Sequence, residues 1–224
     1  MTWVKICGIT NLEDALTAVD AGADALGFVF YDKSPRKIEP ELARRIIAQL
    51  PPSMETVGVM VDDSVERIRD VVQRTGLKAA QVHVGHGGSG RMQDLLTMNQ
   101  NQTGTKIIAA FPADDLGKEG LFALGSAEKK FYALMLDSGS SAAPGGTGRT
   151  FDWRKARAMV QFLSINLPVI VAGGLTALNV AEAIELFQPW GVDVASGVEA
   201  RPGKKDPEKV RAFVAAVRSA EKVA

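Results

Sequence analysis

The sequence is poor in the residues that build metal centres and disulfide frameworks. Its 224 residues include one cysteine and two histidines. A lone cysteine has no partner for an intrachain disulfide and suits a reducing compartment. So few thiols and imidazoles argue against a structural zinc site, and no metal is expected. An excess of one charge is also missing. The 26 Lys and Arg residues balance 26 Asp and Glu, so there is neither a basic surplus for nucleic acid nor an acidic tail. No apolar run approaches the ~18 residues of a membrane-spanning helix. The opening "MTWVKICGIT" enters strand-like sequence without the apolar stretch of a signal peptide. These absences predict a soluble, cytoplasmic protein with no nucleic-acid or membrane partner.

What the sequence does have is alternation. Hydrophobic residues make up 46% of the chain, enough for a full core. Short β-branched runs occur at 3–7, 24–30, 55–61, 79–84, 105–111, 131–137, 167–173 and 191–197. Amphipathic segments lie between them. Residues 11–21 start at Asn11, a good helix cap. Residues 64–75 have Asp63 or Ser64 as cap and Val65, Ile68, Val71 and Val72 on one face. Residues 206–220 have Asp206 as cap and Pro207 in the first turn. The segment 112–130 carries the weakest pattern and is expected to hold a short helix. Eight β–α units in 224 residues average about 28 residues each, the size of a βαβ repeat with short loops. An open doubly wound sheet normally has fewer strands. The pattern therefore predicts an α/β protein, a (β/α)8 TIM barrel forming a single domain over residues 1–224. No linker or compositional break interrupts it.

In such barrels the active site lies at the C-terminal ends of the strands, so residues at those ends are candidates. Cys7 closes the first strand. Alternation puts Lys5 and Cys7 on one face and Val4 and Ile6 on the other. The apolar pair suits the layer beneath the helices, so Lys5 and Cys7 should face the barrel interior. A free cysteine is commonly an inert buried thiol, but Gly8 permits close approach of a ligand. Asp137 closes the sixth strand on the same face as Met135. It is either a local cap for backbone amides or a reacting carboxylate. His83 shares a face with Gln81 and reads as a satisfied rim histidine.

Several loops point to an anion. "APGGTGRTFDW" (143–153) is glycine-rich and ends at Asp152, a helix cap. "VAGGLT" (171–176) and "VASGVEARPGKKD" (194–206) follow strands seven and eight, where many barrels bind phosphate through backbone amides. Glycine here could equally serve tight βα turns. Arg36, in the loop after strand two, offers a fork for a carboxylate or phosphate. A solvated arginine is the commoner outcome for such a position.

Taken in order from Lys5 to Asp206, "KICGIT", "LGFVFYDKSPRKI", "VGVMVDD", "LMLDS", "GGTGRTFDW", "VAGGL" and "SGVEARPGKKD" resemble the phosphoribosylanthranilate isomerase family of tryptophan biosynthesis. The resemblance implies a (β/α)8 barrel with no metal or organic cofactor. It implies the Amadori rearrangement of a small-molecule phosphoribosyl substrate, N-(5′-phosphoribosyl)anthranilate. By position it assigns the general base to Cys7, the general acid to Asp137 and the anthranilate carboxylate to Arg36. Phosphate binding falls on Gly146, Thr147 and Gly148, on Gly173 and Gly174, and on Ser196 and Gly197. A monomer or a homodimer is compatible with it. Two departures stand out. Strand four runs into "QVHVGHGGSG" where the family usually has "QLHG", and Ala195 replaces a frequently polar residue. Two alternatives remain at this stage: a phosphosugar barrel isomerase of the histidine-pathway type, and a non-catalytic phosphate-binding barrel. The first is disfavoured by Cys7 in place of an aspartate and by the absence of a half-chain repeat. The second does not require an acid and a base at facing strand ends.

Overall fold

The computed structural model describes residues 1–61, 63–83, 105–113, 131–138 and 150–221. Eight strands close into a barrel in sequence order. They are β1 (Trp3–Cys7), β2 (Ala25–Val29), β3 (Glu55–Val61), β4 (Ala79–His83), β5 (Lys106–Pro112), β6 (Ala133–Asp137), β7 (Val169–Val171) and β8 (Gly191–Val194). All neighbouring pairs run parallel, and β8 closes on β1 with Lys5 opposite Asp193. Parallel strands need crossovers, and the described crossovers carry helices that cover the barrel's outer face.

The helices begin where local chemistry supplies a cap. The Asn11 side chain accepts from the Asp14 amide at 2.9 Å and starts helix Leu12–Asp20. Ser64 does the same for Val65–Thr75, which ends at left-handed Gly76. Asp152 caps Trp153–Ser164 through the Lys155 amide. Asp206 caps Pro207–Ala220, with proline at the first turn. Each such cap satisfies a donor the helix itself cannot.

Two apolar layers result. Val4, Ile6, Leu26, Phe28, Leu134 and Leu136 point outward and pack beneath the helices. Ala25, Val57, Ile108, Ala133, Met135 and Ile170 fill the barrel interior. The interior also takes Lys5 and Gln81, both buried. Higher up, Cys7 packs with Val29 and Val59, flanked by Tyr31 and Ala195.

Two features depart from the sequence expectation. β7 covers three residues rather than 167–173, because Gly173 at φ 89° turns the chain just beyond it. After β8 the chain forms a short 3-10 turn (Ser196–Val198) and then an antiparallel hairpin, β9 (Glu199–Arg201) and β10 (Lys204–Lys205). Pro202 and left-handed Gly203 make its tip. Most of the 112–130 segment and the strand-four loop at Val84–Gly90 lie outside the described residues.

Candidate active site

The C-terminal rim of the barrel brings together most of the predicted residues. Cys7 ends β1 and is buried, with its side chain toward the interior as alternation requires. Glycine at position 27, its register partner, makes room. A Cβ there would stand 2.8 Å from the Cys7 Sγ and 3.0 Å from the Lys5 Cε. One turn of the pleat below, Lys5 is 0% exposed. Its Nζ donates to Asp193 Oδ1 at 2.8 Å and to Gln81 Oε1 at 2.9 Å. A buried ammonium needs such partners. Burial alone would lower the Lys5 ammonium, but Asp193 and Cys7 outweigh it and hold the group above the ordinary lysine range.

Asp137 ends β6 and is buried at the same rim. The Ser138 hydroxyl lies 3.5 Å from its Oδ1. Asp137 is close enough to act on Asp193. Burial raises the Asp193 carboxyl, Lys5 opposes the rise, and the Asp137 charge adds to it. Two neighbouring carboxyl groups resist both being ionised.

Arg36 is not solvated. It is 9% exposed and packs over Gly8, where a Cβ would stand 2.6 Å from its Cδ. Its Nε and Nη2 form a fork with Glu199, at 2.9 and 2.8 Å. Nη1 takes no part in that pair. The hairpin places Lys205 opposite Glu199. The Lys205 Nζ donates to Glu199 Oε1 at 3.1 Å and to the Ala195 carbonyl at 3.2 Å. Burial would raise the Glu199 carboxyl, but the Arg36 bond and Lys205 outweigh it and hold it below the usual range. Burial pushes the Lys205 ammonium down, with Glu199 and Cys7 opposing.

The same balance decides Cys7. Burial pushes the thiol up, Lys5 pulls it down, Asp193 pushes it up again, and Lys205 pulls it down. The net direction is upward. Positive charge near Cys7 therefore offsets its burial without overcoming it.

Gly173 and Gly174 follow β7 with φ of 89° and 65°, which favours glycine. A Cβ on Gly173 would run into the Ser138 hydroxyl, beside Asp137. Ser196 and Gly197 begin the turn after β8, and a Cβ on Gly197 would run into the Leu175 carbonyl. The two loops thus rest on each other, backbone against backbone. Gly146, Thr147 and Gly148 lie outside the described residues. His83 sits at the end of β4, half-buried, with its Nε2 3.4 Å from the Gln81 amide nitrogen.

Sequence reasoning overlooked Asp193, Glu199 and Lys205. An inward Lys5 demanded an acidic partner, and alternation along "GVDV" offered Asp193. The "EARPGKK" stretch carries a Pro-Gly turn between Glu199 and Lys205, a hairpin signal that places them face to face.

A cavity of about 640 Å³ lies at the opposite end of the barrel, lined by Met1, Thr2, Ala181, Ile184, Gln188 and Ala220. None of the candidate residues lines it, and it holds none of the groups described above. Among the described residues, no helix is long and apolar enough to cross a membrane.

Comparison with known proteins agrees with this geometry. The family model for N-(5′-phosphoribosyl)anthranilate (PRA) isomerase matches residues 4–216. The N-(5′-phosphoribosyl)anthranilate isomerase of Geotalea uraniireducens (strain Rf4) is 45% identical over 214 residues, covering 96% of this chain and 97% of that protein. A crystal structure of monomers generated from the dimeric enzyme of Thermotoga maritima superposes with a TM-score of 0.79 at 37% identity, covering 98% and 100% of the two chains. A phosphoribosyl anthranilate isomerase in complex with reduced 1-(o-carboxyphenylamino)-1-deoxyribulose 5-phosphate gives a TM-score of 0.79 at 38% identity, with the same coverage. This chain belongs to the N-(5′-phosphoribosyl)anthranilate isomerase family.

Proposed function

We propose that this chain converts N-(5′-phosphoribosyl)anthranilate into 1-(2-carboxyphenylamino)-1-deoxyribulose 5-phosphate, with Cys7 as general base and Asp137 as general acid. The activity is that of an isomerase of tryptophan biosynthesis. The observation that carries the residue assignment is the placement of Cys7 and Asp137, both buried, at the C-terminal ends of β1 and β6 in one closed barrel. A merely binding barrel has no need of that pair.

The substrate makes three demands: a phosphate at one end, an aromatic carboxylate at the other, and two proton transfers between. Backbone amides of Gly173, Gly174, Ser196 and Gly197 meet the phosphate, with Gly146, Thr147 and Gly148 as further donors. Arg36 meets the carboxylate through the part of its guanidinium outside the Glu199 fork. Asp137 donates a proton to the ring oxygen. The C1′–oxygen bond breaks, the ring opens and a protonated Schiff base forms. Cys7 then removes the proton at C2′, and its electron pair neutralises the iminium to give an enolamine. Tautomerisation gives the ketone. Every atom of the substrate is retained, so the step needs no oxidant and no organic cofactor.

The same reading covers the rest of the molecule. Residues 1–224 act as one barrel domain, as a monomer or homodimer, in the cytoplasm. Mixing purified protein with the substrate tests the activity. The anthranilate-type fluorescence of the substrate should fall with time in proportion to added protein. A constant signal at high protein concentration would overturn the assignment.

A further inference from the structure

We infer that Lys205 is a positioning residue for this reaction, its buried ammonium supporting the Cys7 thiolate while Glu199 ties it to the carboxylate-binding Arg36. The inference rests on the reading of Cys7 as base, and it answers what favours that thiolate in so closed a site.

The geometry starts from the hairpin. It folds Lys205 back beneath the rim, where the residue is 1% exposed. The hairpin is fixed from both sides. The Lys205 amide donates to Asp14 at 2.7 Å, and the Thr10 hydroxyl donates to the Gly203 carbonyl at 2.6 Å. The Lys205 ammonium also bonds the Ala195 carbonyl, and Ala195 packs on the cluster that contains Cys7. Lysine burial of this degree is rare without a dedicated partner.

Glu199 already gives both carboxylate oxygens to the Arg36 fork. Lys205 is a second cation on that one anion. Lys5 and Asp193 pair with each other, and Asp14 is met by Lys204 at 2.6 Å. Around Cys7 there are thus three buried cations, Lys5, Arg36 and Lys205, against the carboxylates Asp193 and Glu199. In the proposed mechanism Asp137 carries its proton when Cys7 acts, and the thiolate, formed against its burial, is then the anion that balances the set.

The ionisable groups around Cys7 can be named by element. Lys5 lies on its own strand and Asp193 on β8. Lys205 comes from the hairpin, with Glu199 and Arg36 behind it. Asp137 acts from β6 through Asp193, and the Tyr31 phenol follows β2. The β2 and β3 residues packed directly on the thiol, Val29 and Val59, carry no charge. Lys5 shares its charge with Asp193. Lys5 is the stronger pull on the thiol and also hydrogen-bonds it; Lys205, whose carboxylate is already engaged by Arg36, adds a second pull. The same Glu199 sets Arg36, so one carboxylate fixes both the substrate-facing fork and the cation behind the base.

Cys7 is the sole cysteine of the chain, so thiolate absorbance near 240 nm reports this one group once a Cys7→Ala blank is subtracted. Titrating the purified, ligand-free protein tests the inference without turnover. Lys205→Gln and Lys205→Met should each raise the midpoint by about one pH unit or more. At neutral pH, kcat/KM should fall by about tenfold with it. Lys205→Arg keeps the charge and should return the midpoint to near that of the unmutated protein. Unchanged midpoints in the neutral variants would overturn the inference. So would an Arg variant that folds yet shares their upward shift, which covers the case in which the neutral variants do not fold. Turnover that survives Cys7→Ala would instead remove the base assignment itself. The two failures are therefore distinguishable.

Discussion

Burial and charge pull on Cys7 in opposite directions. The thiol sits among Val29 and Val59, where an ion is costly, yet two ammonium groups approach it. Burial wins in the ligand-free site. A base must be unprotonated, and a thiol raised above its ordinary value loses its proton only as pH climbs through that raised value. The kcat/KM profile between about pH 6 and about pH 10 should therefore rise with pH along an ionisation at or above the usual thiol range. A profile already flat from neutral pH upward would show that something absent from this balance lowers the thiol. At this scale the sequence was only partly informative. The inward direction of Cys7 and Lys5 followed from alternation. The identity of the Lys5 partner did not, because it lies 188 residues away. The Glu199 partner of Arg36 was invisible for the same reason, since the two residues lie 163 positions apart.

Among the elements, the contact between the loops after β7 and β8 fixes the place proposed for the phosphate. Gly197 lies so close to the Leu175 carbonyl that no side chain fits without moving backbone. Overpacking of this kind typically costs ~1–3 kcal/mol. Gly197→Ala should therefore lower the urea midpoint with an unchanged slope, and it should raise KM because both loops shift. A variant with wild-type stability and KM would mean that the loops tolerate separation. Packing of this sort also explains why the glycine motifs could be read two ways. The same residues suit a tight turn and a phosphate cradle, and local sequence cannot separate the two uses. The ends of β7 and β8 were hard to place for a related reason. Apolar residues such as Ala172 continue past β7, but the positive φ of Gly173 ends the regular strand. By contrast, β1 and β3 match the expected 3–7 and 55–61, because each ends at a clear change of residue type.

Taken as a whole, the barrel separates its duties by end. The N-terminal end is closed by aromatics. Trp3 stacks on Trp190 at 5.1 Å, and Tyr132 meets Trp190 edge-on at 5.6 Å. Glu55 accepts from the Trp3 indole and the Tyr132 hydroxyl and pairs with Lys106. The C-terminal end carries the cysteine, the aspartate, the arginine and the glycine turns. Such a division is general in this fold, and it is why the eightfold pattern, legible from Trp3 to Val194, sorts candidate residues by strand end alone. What periodicity could not supply was the buried charge network, which depends on side chains from β1, β4, β8 and the hairpin meeting in space. The central claim is that Cys7 and Asp137 act as base and acid. The most direct measurement is kcat in Cys7→Ala and Asp137→Asn, followed by loss of substrate fluorescence, with circular dichroism confirming the fold. Each variant should lose at least ~10²–10⁴-fold in kcat while staying folded. Near-normal turnover in either folded variant would contradict the account.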